Sequence, residues 1–229
     1  MVAYDKLLDV STRDYPGKLT MIMFMNHCPL DCRYCFNSAI CNGTNNVPIS
    51  VAEKSILGSA EFVDCITFTG GEPFMQIDAL IHLSNFAKDI GLDVSVQTSG
   101  VYPLHVEKFL NAVDVDLFVM DVKAPLSRPD KYDAITRTIG NSQYVKSSLD
   151  LLKVYHPKAV EIRTTVTHEL HTINDIKCIA KDIKSIASTY RIQNIRESIN
   201  GLTPVSCETL QLFADAVREY VDNVITSDD

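Results

Sequence analysis

Six short strand-like runs, alternating with stretches whose apolar residues recur at helical spacing, constrain this chain more than any other feature of it. The runs are Leu19 to Met25, Cys65 to Thr69, Val94 to Gln97, Leu117 to Met120, Val160 to Val166 and Arg191 to Arg196. Helices are predicted at Ser50 to about Phe62, Asp78 to Ile90, Leu104 to Ala112, Pro129 to Arg137, Ser142 to Tyr155 and Asn174 to Thr189, with a last one at Cys207 to Val221. Ser50 and Glu53 have the spacing of a capping box, and Gly91 is placed to end its helix. A continuous apolar run suits a strand buried on both faces, and right-handed crossovers join such strands into a parallel sheet. This α/β pattern admits a doubly wound open sheet or a barrel. In both, the polar residues that end the strands face one common site. A length of 229 residues is enough for one large core, so a single domain over 1–229 is expected. The Pro16-Gly17 pair marks a turn before the first run, and Thr226 to Asp229 are expected to fray.

Directly after the first strand stands Cys28-Pro29-Leu30-Asp31-Cys32-Arg33-Tyr34-Cys35, three thiols at spacing C-x3-C-x2-C. Thiolate is the soft ligand that iron-sulfur clusters take, usually four at a time. Three of them would hold three irons of a 4Fe-4S cube and leave the fourth open to a ligand that takes part in chemistry. The competing reading is a zinc knuckle, which wants four ligands in two pairs. Only His27 and Cys41 are near enough in sequence to complete such a set, and His27 abuts Cys28 awkwardly.

Other strand ends carry polar residues too. Gly70-Gly71-Glu72-Pro73 ends the second strand, where two glycines let the backbone approach a ligand and leave carbonyls to accept from an ammonium group; a plain tight turn is the bland alternative. Thr98 and Ser99 end the third, with hydroxyls suited to a ligand or to the local turn. Asp121 and Lys123, two apart, project to the same side of the fourth strand, toward a site or toward solvent. Arg163 lies among apolar neighbours on the fifth and needs an anion, from a ligand or from a structural Asp or Glu. His168 and His171, three apart in a predicted loop, are expected at the surface.

The cysteine spacing, with Gly70-Gly71-Glu72-Pro73 about one β/α unit later, resembles the radical S-adenosylmethionine (SAM) superfamily over nearly the whole chain. The resemblance selects a partial (β/α)6 TIM-like barrel. It implies one 4Fe-4S cluster on Cys28, Cys32 and Cys35, and SAM bound near Tyr34, Gly70, Gly71, Glu72, Thr98, Ser99, Asp121, Lys123 and Arg163. In such enzymes the amino group and carboxylate of SAM chelate the fourth iron, and reductive cleavage yields a 5′-deoxyadenosyl radical. No side chain then needs to act as acid, base or nucleophile, and no catalytic residue is expected beyond the cluster and that radical.

Within the superfamily, Asp14-Tyr15-Pro16-Gly17-Lys18, Cys35-Phe36-Asn37 and Asp121-x-Lys123 are most similar to the activases of anaerobic ribonucleoside-triphosphate reductase, which store a radical on a partner's glycine. The implied partners are that glycyl-radical enzyme and a flavodoxin or ferredoxin as electron donor. Gln193 and Arg196 fit the same pattern. Phe36 replaces the histidine common in relatives, and Gln97 stands where pyruvate formate-lyase activases tend to be acidic. Two other functions stay open. One is a small-molecule radical enzyme of the 7-carboxy-7-deazaguanine synthase type, which usually carries Gln-Gly-Glu-Gly before the first strand. The other is a non-catalytic iron-sulfur carrier or sensor, which calls for four cysteines and no cofactor pocket.

The net charge of −8 offers no general attraction to nucleic acid or an anionic membrane. No leader-like segment opens the chain and no apolar run is long enough for a bilayer, so a cytoplasmic location without membrane contact is expected.

Overall fold

The structure, a computed structural model, describes residues 1–227. Packing divides the chain into two compact units: Met1–Pro29, Asn37–Thr98 and Leu104–Phe118 form one, while Leu30–Phe36, Ser99–Pro103 and the residues from Val119 onward form the other.

In the first unit, β1 (Tyr4–Ser11) runs antiparallel to β2 (Thr20–Met25), which pairs in parallel with β3 (Cys65–Gly70), and β3 in turn with β4 (Asp93–Thr98). β2 is buried along nearly its whole length, the expected property of an inner parallel strand. Around these strands lie α1 (Ser38–Cys41), α2 (Ile49–Ser59), a short 3-10 helix (Pro73–Gln76), α3 (Ile77–Asp89) and α4 (Pro103–Ala112). Phe74 anchors the core, meeting Phe109 edge to face at 5.4 Å between ring centroids.

β5 (Leu117–Asp121) begins in the first unit and ends in the second. The second continues with α5 (Pro129–Thr136), α6 (Asn141–Tyr155), β6 (Val160–Val166), α7 (Ile173–Ile183), β7 (Thr189–Asn194), α8 (Cys207–Asp215) and β8 (Val224–Ser227). β6, β7 and β8 are parallel. Within each unit strand order follows the chain, β1 to β4 in the first and β6 to β8 in the second. The expected α/β class, with crossover helices joining parallel strands, is therefore what the chain forms.

The differences have local causes. β1 is mostly exposed, with only Tyr4 buried, so it shows no apolar run from which to be predicted. Thr226 and Ser227, expected to fray, belong to β8, and the rest of that tail lies outside the described residues. Ser50 is inside the first turn of α2 rather than at its cap, which is Pro48, and Glu53 pairs instead with His82 Nε2 at 2.7 Å. α7 takes the capping box: Thr172 accepts from the amide of Asp175, and Asp175 accepts from that of Thr172. α7 and α8 end earlier than their apolar spacing predicts. Among the described residues no helix is long and apolar enough to cross a membrane.

Candidate functional site

β2 delivers the chain to the cysteine loop through His27, which adopts the left-handed conformation at φ 71°. The turn after β3 is laced to that entry: the amide of Gly71 donates to Met25 O at 2.8 Å and the amide of Glu72 to His27 O at 2.7 Å. Only glycine permits this approach. A Cβ on Gly71 would stand 2.0 Å from the His27 carbonyl oxygen, and Gly70 sits at φ 112° with its would-be Cβ 2.6 Å from Met25 N. The loop that carries Cys28 and the loop that carries Gly70 to Glu72 are thus held as one backbone assembly.

Glu72 is fully buried. Its Oε1 accepts from Thr98 Oγ1 at 2.7 Å and from the amide of Phe74 at 3.1 Å, capping the 3-10 helix. The carboxylate therefore locks the turn from beneath, and the Thr98 hydroxyl serves that lock rather than its own local turn. Gln97 links two more elements: Oε1 accepts from Thr69 Oγ1 at 2.9 Å and Nε2 donates to Asp14 Oδ1 at 3.3 Å.

In the second unit the middle of the cysteine loop rests on the C-terminal end of α5. The amides of Asp31 and Arg33, on either side of Cys32, donate to Thr136 O and Ile135 O, both at 3.0 Å. Tyr34 is buried, its hydroxyl has no hydrogen-bond partner, and burial drives its pKa well above the usual phenol value. Lys123 lies over the Tyr34 ring at 6.0 Å from the centroid and donates to Asp121 Oδ2 at 2.9 Å. Burial alone would pull the lysine pKa down; the charges of Asp121 and Cys32 outweigh this and hold it well above normal. Ser99 is buried as well.

Arg163 is buried and finds a structural anion: its Nε donates to Glu161 Oε1 at 2.5 Å. Arg191, its register partner on β7, grips the same carboxylate at 2.8 and 3.1 Å. Burial would raise the pKa of Glu161, but the two guanidiniums overcome it and lower it. Sequence reasoning missed Glu161, although a Glu two residues before an Arg on one strand shares its face. It also misplaced His171, which is buried rather than at the surface, with Nε2 3.0 Å from Lys123 O.

The first unit thus gathers Gly70, Gly71, Glu72 and Thr98 against the start of the cysteine loop, and the second gathers Tyr34, Asp121 and Lys123. Cys28 belongs to the first unit and Cys32 and Cys35 to the second; all three are half-buried thiols outside any disulfide. Among the described residues no three His, Cys, Asp or Glu side chains close on one point as a metal-binding group.

A family model described as the Radical SAM superfamily matches residues 22–183. A Methanocaldococcus jannaschii protein named as a candidate glycyl-radical enzyme activating enzyme is 29% identical over 231 residues, covering 96% of this chain and 93% of that protein. The 7-carboxy-7-deazaguanine synthase of the same organism is 24% identical, covering 92% of this chain and 89% of its own. Among solved structures, a radical SAM methyltransferase from Sphaerobacter thermophilus superposes with a TM-score of 0.75 at 15% identity, covering 93% of this chain and 67% of that one, a likeness of fold.

Proposed function

Because the chain belongs to the radical SAM superfamily, whose enzymes use a 4Fe-4S cluster and SAM, we propose that it activates a glycyl-radical enzyme, most specifically an anaerobic ribonucleoside-triphosphate reductase. The observation that carries this reading is the 29% identity to the Methanocaldococcus activating-enzyme relative across 93% of that protein's length. Asp14 to Lys18 and Asp121-x-Lys123 support the narrower partner. A flavodoxin or ferredoxin supplies the electron in this proposal, and the site of action is the cytoplasm.

The residues fit the cofactors chemically. Three half-buried thiols at C-x3-C-x2-C are soft donors for three irons, and a buried phenol with an unpartnered hydroxyl adjoins the last of them. When bound, the cluster and SAM supply an electron and a 5′-deoxyadenosyl radical that takes hydrogen from the partner's glycine. The chain's own part is placement. Cys28, Cys32 and Cys35 hold the iron. The glycine turn, fastened to His27, would offer its carbonyls to the ammonium of SAM, and Tyr34 would hold the adenine. Ser99, Asp121 and Lys123, with the N–H groups that Arg163 does not spend on Glu161, would fix the remaining polar groups, and Thr98 and Glu72 stiffen the turn.

A second reading, a deazaguanine-forming enzyme, rests on the 24% identical relative. One experiment separates the two. The anaerobically reconstituted protein, with SAM and dithionite, is offered either a candidate reductase or a carboxylated pterin. A glycyl-radical signal in electron paramagnetic resonance, accompanied by 5′-deoxyadenosine, is the expected result. Turnover of the pterin without any protein radical would end the activase reading.

A further inference from the structure

Residue 123 lies just past the end of β5, so the sheet supplies no partners for its backbone, yet Lys123 is buried. Two side chains supply them. Tyr132 on α5 takes the amide of Lys123 on its hydroxyl at 3.4 Å, and His171, in the turn between β6 and α7, meets the carbonyl with Nε2 at 3.0 Å. Both are buried, and neither carries a role in the assignments above.

The tautomer of His171 follows from its neighbours. Nδ1 faces the amide of Thr167 at 3.3 Å and must accept; the proton is therefore on Nε2, which donates to Lys123 O. The ring is held in turn, because the amide of His171 donates to Thr167 O at 3.2 Å and that of Leu170 to Thr167 Oγ1 at 3.2 Å. A short turn after β6 thereby presents one N–H to one carbonyl just past the end of β5.

We propose that His171 is a positioning residue: its Nε2–H fixes the backbone at Lys123, and through it aims the Lys123 ammonium that Asp121 and the Tyr34 ring receive. This rests on the reading of Lys123 as a SAM-pocket residue and deepens it. A buried carbonyl left without a donor turns or draws in water, and the side chain rooted on that backbone, held at its far end by Asp121, moves with it.

The test uses the full chain with its cluster reconstituted, SAM as the probe and equilibrium dialysis as the measure of binding. Lys123→Met should weaken SAM binding about tenfold or more, as expected for a lost charge-assisted contact. His171→Leu should weaken it about fivefold, and His171→Gln, whose amide nitrogen can take the place of Nε2–H, should restore it to within about twofold. If Lys123→Met weakens binding and His171→Leu leaves it unchanged, the positioning role is overturned while the pocket reading stands. If Lys123→Met leaves binding unchanged, the pocket reading fails and takes this inference with it. Should His171→Leu not fold, two measurements decide: binding by His171→Gln, and ring 15N shifts of the unsubstituted protein without cofactors. A loss in His171→Gln equal to that of Lys123→Met, or a proton found on Nδ1, overturns the role.

Discussion

Thr98 Oγ1 donates to Oε1 of a fully buried Glu72 at 2.7 Å, so the end of β4 and the glycine turn after β3 share one hydrogen bond. Thr98→Val keeps the shape and removes the donor, leaving the carboxylate short of a partner at a cost of about 1–3 kcal/mol. Thr98→Ser should stay within about 1 kcal/mol of the parent protein, since it keeps the hydroxyl. Urea unfolding of the two variants checks this, and a loss in Thr98→Ser as large as expected of Thr98→Val, with little loss in Thr98→Val itself, would show that the methyl group matters rather than the bond.

Gly71→Ala forces a Cβ to within 2.0 Å of the His27 carbonyl oxygen, and both groups are backbone. A loss of about 1–3 kcal/mol is expected from the overpacking, together with poorer iron retention because Cys28 follows His27 directly. Gly58→Ala is the matched control: it lies in α2 with nothing within 4 Å of its Cβ and should gain up to about 1 kcal/mol.

Cys32→Ala should remove cluster-dependent SAM cleavage and bound iron while leaving the far-ultraviolet circular dichroism unchanged. The thiol is half-buried in a loop, not in the core. Full iron content in this variant would mean that another residue ligates.

Glu161 answers two guanidiniums, so Glu161→Gln leaves Arg163 and Arg191 facing each other across β6 and β7 without an anion. Breaking a buried ion pair from one side costs about 3–5 kcal/mol. The carboxyl pKa is depressed in the fold, so its contribution is complete above the unfolded value of about 4.3 and is lost as pH falls through the folded value. Unfolding free energies measured from pH 6 down to pH 3 should therefore converge for parent and variant. A constant gap across that range would contradict the assignment.

His171 gives a second acid-side probe, in a higher pH window. Burial lowers its pKa from 6.5 to about 4, so the unfolded chain takes up a proton that the folded chain refuses. Stability linked to this group is complete above about pH 6.5 and falls by about 3 kcal/mol on the way to pH 4. His171→Gln, with nothing to titrate there, should lack that part of the slope. An unchanged slope between pH 6.5 and pH 4.5 would show that the ring protonates within the fold.

The sequence revealed what periodicity and spacing encode. Val160 to Val166 was legible to the residue because a doubly buried strand of β-branched side chains has no competing pattern. β1 was not, since an exposed edge strand such as Tyr4–Ser11 needs no apolar face. Arg163 announced that it needed an anion, but its partner could be found only by pairing Glu161 with Arg191 across a register that no local rule supplies. His171 looked like one of two surface histidines because burial there depends on the backbone of Lys123, 48 residues earlier in the chain.

The amides of Asp31 and Arg33 are spent on the last carbonyls of α5. Those two donors flank Cys32, and they are therefore withheld from any sulfide bound at that thiol. Donors aimed at inorganic sulfur favour the reduced, more negative form of a cube and so raise its midpoint potential. By engaging them elsewhere, the protein would leave a cube held at Cys32 a stronger reductant and one easily oxidised by air.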